Sequence, residues 1–164
     1  RGPIVLVGSS LGGWIATLLA NEDPAVAGLL LLAPAFDCIA ELERRCAAAS
    51  HTDNGTPAGR VLPLPDGGVC TVSERWLAEA RRQPACPEPR CPTVVIYGRR
   101  DTVVPERSVR RFVEGRPQVR LVLVDDDHRL LDSLEVIDVE LDALLVQIAA
   151  GAAQRDGGQA FDVR

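Results

Sequence analysis

The chain has 164 residues, 46% of them hydrophobic, with 18 basic and 23 acidic side chains and a net charge of −5. That is about one domain, with enough apolar material to bury a core, so disorder is not the default reading. The acidic balance carries no basic stripe and excludes nucleic acid as the expected partner, and no run reaches the ~18 apolar residues that would span a bilayer.

Every basic residue is Arg, and the chain has neither Lys nor Met. That bias fits a GC-rich coding sequence rather than a structural demand. The first residue, Arg1, stands only three positions before a strand-like run. An N-terminal portion, with any targeting segment it held, is therefore expected to be missing. The expected location is the cytoplasm or an organelle lumen. The five cysteines (Cys38, Cys46, Cys70, Cys86 and Cys91) include no C-x-x-C pair and no zinc spacing. They read as partly buried thiols of a reducing compartment, with a Cys86–Cys91 bridge possible in an oxidising one. No metal is expected.

In chain order, Ile4 to Val7 reads as a buried strand that stops at Gly8. Apolar residues then recur at Leu11, Trp14, Ile15, Leu18 and Leu19, which is helical spacing. The joint between them, residues 8 to 12, reads G-x-S-x-G with Ser10 at its centre. A serine at the tip of so sharp a strand-to-helix turn has its hydroxyl thrown clear of the sheet. Side chains two residues before and after it would collide, so Gly8 and Gly12 are expected to relieve that contact. The amide of Leu11 would open the helix and become a donor for a developing oxyanion. The plainer alternative is a glycine-rich turn with Ser10 as an ordinary helix cap.

Asn21 to Pro24 end that helix, and Gly28 to Ala33 is a second continuous apolar run, closed by Pro34. Residues 35 to 91 break the strand–helix rhythm. They predict a short helix over 41–49, a polar loop over 51–59 and a hairpin over 61–72 around Asp66-Gly67-Gly68. A helix capped by Ser73 follows, with Trp76, Leu77 and Ala80 inward, and then a proline-stiffened connection. An insertion of this length reads as a small cap over the site. Thr93 to Tyr97 resumes the buried-strand pattern and ends at Gly98 and a turn holding Asp101. A helix starts at Pro105 with Val109, Phe112 and Val113 on one face. Val119 to Val124 is a fourth strand, followed by Asp125, Asp126, Asp127 and His128. The last helix, 131–150, turns Leu134, Ile137, Leu141, Leu144, Leu145 and Ile148 inward, and 151–164 reads as a disordered tail.

Parallel sheets bind ligands beyond the carboxyl ends of their strands. Ser10 follows the first strand, Asp101 the third and His128 the fourth, so all three should meet at one edge. An imidazole can take the proton of a weakly nucleophilic hydroxyl, and a carboxylate behind it fixes the tautomer. His51, the other histidine, falls in a polar loop and reads as solvated. Asp37 rivals Asp101 as the acid, and Asp125 to Asp127 could be a solvated acidic run.

GSSLGG at 8–13, YGRRDTVVP at 97–105 and DDDHRL at 125–130 resemble the α/β-hydrolase superfamily. The small insertion is most similar to its single-domain esterases, notably the branch with the mitochondrial palmitoyl-protein thioesterase and acyl-glucuronide esterase. The resemblance covers about residues 3 to 149. It implies an α/β fold, the C-terminal half of a hydrolase, with about four parallel strands, flanking helices and residues 35–91 as a cap insertion in a core over 1–150. It implies Ser10 as nucleophile, Asp101 as acid and His128 as base, with no cofactor and an acyl ester or thioester as the small-molecule substrate. Phe36 and Trp76 are possible walls of the acyl pocket, while Trp14 is expected to be core. Hydrolases of this fold place further strands and a second oxyanion donor before the serine turn, and without them the chain by itself is expected to be poorly active or unstable. A non-catalytic binding module of the same fold, or an inactive truncated product, is the alternative.

Overall fold

The computed structural model describes residues 2–49, 59–63 and 68–157. Four strands, β1 (Ile4–Ser9), β2 (Val26–Leu32), β5 (Thr93–Gly98) and β6 (Val119–Val124), form a parallel sheet in the order β1-β2-β5-β6. Between them run α1 (Leu11–Glu22) and α4 (Glu106–Val113), and after β6 a short 3₁₀ turn (Leu131–Ser133) leads into α5 (Leu134–Gly157). Every residue of β5 is buried, as are most of β2, which explains why both read as unbroken apolar runs rather than alternating ones. Leu29, Leu30 and Leu31 are fully enclosed, each contributing about 1.5–3 kcal/mol of transfer free energy. α5 crosses β2 closely enough that a Cβ on Gly28 would run into the Ile148 side chain.

The chain divides into two compact units, residues up to Phe36 with those from Pro87 onward, and Asp37–Cys86. The division lies inside the expected 35–91 insertion. In the second unit, α2 (Cys38–Ala49) precedes an antiparallel hairpin of β3 (Gly59–Pro63) and β4 (Val69–Ser73), which pairs Gly59 with Ser73 and Pro63 with Val69. The Ser73 hydroxyl accepts from the amide of Trp76 at 3.1 Å and so caps α3 (Glu74–Ala80), as the sequence predicts. Arg81 donates to Glu43 at 2.6 Å. The Asp66-Gly67 turn and His51 lie outside the described residues.

Three expectations need correction. α1 buries Gly13, Trp14, Ala16, Thr17 and Ala20, whereas Ile15 and Leu19 are about half exposed. The buried face of α1 thus combines one large ring, Trp14, with small residues, and Ile15 and Leu19 fall outside it. On α5, Leu144 and Ile148 are buried as expected, but Leu134 and Leu145 face out. α5 also continues through Gly151 to Gly157, so residues 151–157 are helix rather than tail. Cys91 is a free thiol, in line with the reading of the cysteines as thiols.

Candidate active site

The polypeptide turns from β1 into α1 within a single residue. Ser10 adopts φ 52° and ψ −121°, a conformation that costs a non-glycine residue of order 1–3 kcal/mol. Three backbone hydrogen bonds hold it there. Its amide donates to the Leu32 carbonyl at 2.9 Å, and its carbonyl accepts from the amides of Gly13 at 3.0 Å and Ala35 at 2.9 Å. The Ser10 side chain makes no capping bond to α1, which removes the ordinary-cap alternative. The glycines divide the work differently from the expectation. A Cβ on Gly8 would sit 2.5 Å from the Gly12 oxygen and 2.9 Å from the Gly13 Cα, so Gly8 is required. A Cβ on Gly12 would meet nothing. Gly13, which lies outside the five-residue pattern, is the second constrained position, because its Cβ would press to 2.7 Å from the Pro34 ring.

Asp101 stands in the turn after β5. Its amide donates to the Gly98 carbonyl at 3.0 Å, and its Oδ1 accepts from the amides of Val103 at 2.7 Å and Val104 at 2.9 Å. The carboxylate is thereby oriented by the backbone of its own turn, with no side-chain surface exposed. Tyr97 braces the far side of the turn, donating from its hydroxyl to the Val104 carbonyl at 2.7 Å. Burial first, then the negative charges of Asp101 and Glu106, push the Tyr97 hydroxyl up to about 12, so it stays a donor.

His128 stands in the loop after β6, its side chain 20% exposed. Nδ1 lies 2.8 Å from Asp101 Oδ2, and Nε2 lies 3.0 Å from Ser10 Oγ. Against a carboxylate Nδ1 carries the proton, which leaves the Nε2 lone pair to accept from the Ser10 hydroxyl. Three side chains from three strand ends are thus in one line of hydrogen bonds, with Asp101 as its carboxylate. The line can polarise a hydroxyl, store its proton on the imidazole and compensate the resulting cation. The Leu11 amide sits at the first position of α1, where an N–H has no acceptor within its own helix.

Phe36 is not an open pocket wall. It is 2% exposed and its ring stacks on Phe112 with centroids 3.9 Å apart, while the Arg116 guanidinium covers the Phe112 ring at 5.1 Å. Trp14 is buried as expected. Trp76 is half-buried on α3 of the second unit. Sequence reasoning missed Asp126. By sequence it falls in what could be a solvated acidic run, yet it is 3% exposed. Among the described residues no group of three or more His, Cys, Asp or Glu is disposed to hold a metal ion, and no helix is long and apolar enough to cross a membrane.

No protein-family model matches the chain, and no curated protein does. Solved structures do. A protein of Agrobacterium vitis S4 assigned as a hydrolase superposes with a TM-score of 0.63 at 27% identity, covering 85% of this chain and 60% of that one. Est1E of Butyrivibrio proteoclasticus gives 0.65 at 18% identity, over 90% of this chain and 62% of its own. Mouse alpha/beta hydrolase domain-containing protein 10 gives 0.60 at 21% identity, over 96% and 63%. The chain therefore spans about three-fifths of the length of the hydrolases just named, and its four parallel strands with their flanking helices are part of an α/β-hydrolase fold.

Proposed function

We propose that the chain carries the catalytic residues of a serine hydrolase that cleaves a carboxylic ester or thioester through an acyl-enzyme on Ser10. The observation that supports this reading is the His128 ring, hydrogen-bonded to Ser10 Oγ through one nitrogen and to Asp101 Oδ2 through the other. As Oγ attacks the acyl carbon, its proton passes to Nε2, and the carbonyl oxygen gathers charge for which the Leu11 amide is the proposed donor. The imidazolium, held by Asp101, returns that proton to the departing alkoxide or thiolate as the bond to the acyl carbon breaks. A water then attacks the acyl carbon of the acyl-enzyme and gives a proton to Nε2; the bond from that carbon to Ser10 Oγ breaks, Oγ takes the proton back from Nε2, and the acyl group departs with the water's oxygen as the carboxylic acid. The substrate is a small acyl compound, and no cofactor enters the cycle. Phe36 is closed off in the core, so the acyl pocket is built from other walls.

A fluorophosphonate probe tests the reading. Ser10 should displace fluoride and become phosphonylated, visible as a mass increase on the peptide containing residue 10. The label should be absent in Ser10→Ala and should fall at least about a thousandfold in rate in His128→Gln. An unlabelled Ser10, where a control esterase reacts fully, would overturn the hydrolase reading.

A further inference from the structure

Asp125, Asp126 and Asp127 are neighbours with opposite environments. The Asp125 and Asp127 side chains are 84% and 50% exposed, whereas Asp126 is 3% exposed. Every oxygen of Asp126 has a partner. Oδ1 accepts from the Asp127 amide at 2.7 Å, and Oδ2 accepts from the Asp132 amide at 3.0 Å and the buried Ser133 hydroxyl at 2.8 Å. Its backbone carbonyl accepts from the Arg100 amide at 2.9 Å, one residue before Asp101. A Cβ on Gly98 would lie 2.6 Å from the Asp127 carbonyl oxygen and 2.9 Å from the Asp126 carbonyl carbon, so the two loops touch backbone to backbone. Within the bracket from 126 to 133 stands Leu130, buried, with φ +56°. A left-handed leucine is strained, and it persists only where its surroundings over-determine it.

We propose that Asp126 is a positioning residue for His128, one that ties the loop carrying the imidazole to the start of α5 on one side and to the turn carrying Asp101 on the other. Burial alone would raise the Asp126 carboxyl. The bonds from Ser133, Asp127 and Asp132, with the charge of Arg100, outweigh burial and hold it below the ordinary carboxylate value. The ionised form is therefore the one that accepts all three donors. Two residues away, the ring of His128 must meet two partners within a few tenths of an ångström, and a misplacement of about 1 Å can cost a hundredfold in rate. The kinetic arm of the test rests on the hydrolase reading; the spectroscopic arm does not.

The full chain labelled with ¹⁵N-histidine contains only two imidazoles, His51 and His128. The parent should show one downfield, slowly exchanging Nδ1–H, which His128→Gln removes. Asp126→Asn keeps the volume, but its amide nitrogen cannot accept and must face a donor. It should speed exchange of that proton at least about tenfold and slow fluorophosphonate labelling of Ser10 by about 10–100-fold. Arg120→Gln, which breaks the Arg120–Glu140 pair, should lower the melting temperature while leaving both readouts within twofold. If Asp126→Asn does not fold, Ser133→Ala removes a single bond and should change both readouts about threefold. A folded Asp126→Asn, or in its place Ser133→Ala, with both readouts within twofold of the parent would overturn the proposal, as would a parent without a protected His128 proton. A protected proton that Asp126→Asn exposes, in a chain whose Ser10 never labels, would sink the hydrolase reading and leave the positioning role standing.

Discussion

Ser10 and Leu130 both hold a non-glycine residue at positive φ, 52° and 56°, one at the serine turn and one beside His128. The serine turn is held by backbone alone: three main-chain hydrogen bonds and glycines that let strand and helix come together. The histidine loop has a side chain as well as backbone bonds to hold it, the Asp126 carboxylate reaching forward to residues 132 and 133. Strain is stored at both places, but by different means. A backbone clamp needs particular residue types at fixed spacing and leaves a pattern such as G-x-S-x-G. A side-chain clamp needs only one buried acceptor, and leaves no pattern.

The comparison can be broken at its glycines, where the largest effect is expected. Gly8→Ala puts a methyl against the backbone of Gly12 and Gly13 and cannot be absorbed by a flexible side chain. It should cost about 3 kcal/mol in a urea unfolding series and lower the Ser10 labelling rate at least about a hundredfold. Gly12→Ala, inside the same motif, should leave labelling near the parent value and stabilise by up to about 1 kcal/mol, since alanine favours a helix. Equal damage from the two substitutions would contradict the geometry of the turn.

Gly98→Ala is the next step down, because it presses on the join between the Asp101 turn and the His128 loop. The added methyl should part the two loops, lowering labelling about 10–100-fold with a stability loss of about 1–3 kcal/mol. The ¹⁵N-histidine spectrum distinguishes this from general loosening: the exchange of the His128 Nδ1–H should rise together with the loss of labelling.

Tyr97→Phe removes a single neutral hydrogen bond to the Val104 carbonyl and should cost about 1 kcal/mol, with a few-fold effect on labelling. The last test is one of pH. The Tyr97 hydroxyl is raised to about 12 in the folded chain against an ordinary value of 10. The native state therefore holds this proton more tightly, so its contribution to stability is complete below pH 10 and declines as pH rises toward 12. Urea midpoints taken across that window should fall more steeply for the parent than for Tyr97→Phe; parallel slopes would show that the hydroxyl is not perturbed.

The order of strands and helices, the Ser73 cap and the Ser–Asp–His succession were all legible, since each rests on local rules: apolar runs, capping residues, and a turn too sharp for side chains. Asp101 stands out from its rival Asp37 in the sequence through the tight turn it shares with Gly98 and the Val104-Pro105 helix start that follows. The faces of α1 and α5 were not legible. Ile15, Leu19, Leu134 and Leu145 obey helical spacing yet face outward, because periodicity finds an apolar stripe without saying which part of it has a neighbour. Phe36 likewise reads as a free aromatic after a strand until Phe112, seventy-six positions later, takes up its face.

Local sterics and hydrogen bonding act over a few residues, and for that reason the amino-acid order alone determined the strand–turn–helix joint at Ser10 and the kinds of side chain that stand at the ends of β1, β5 and β6. Burial and long-range contact are properties of the packed chain. Only the tertiary structure decided that Asp126 rather than its neighbours is enclosed, that Gly13 rather than Gly12 is the crowded glycine, and that one imidazole reaches both Ser10 and Asp101.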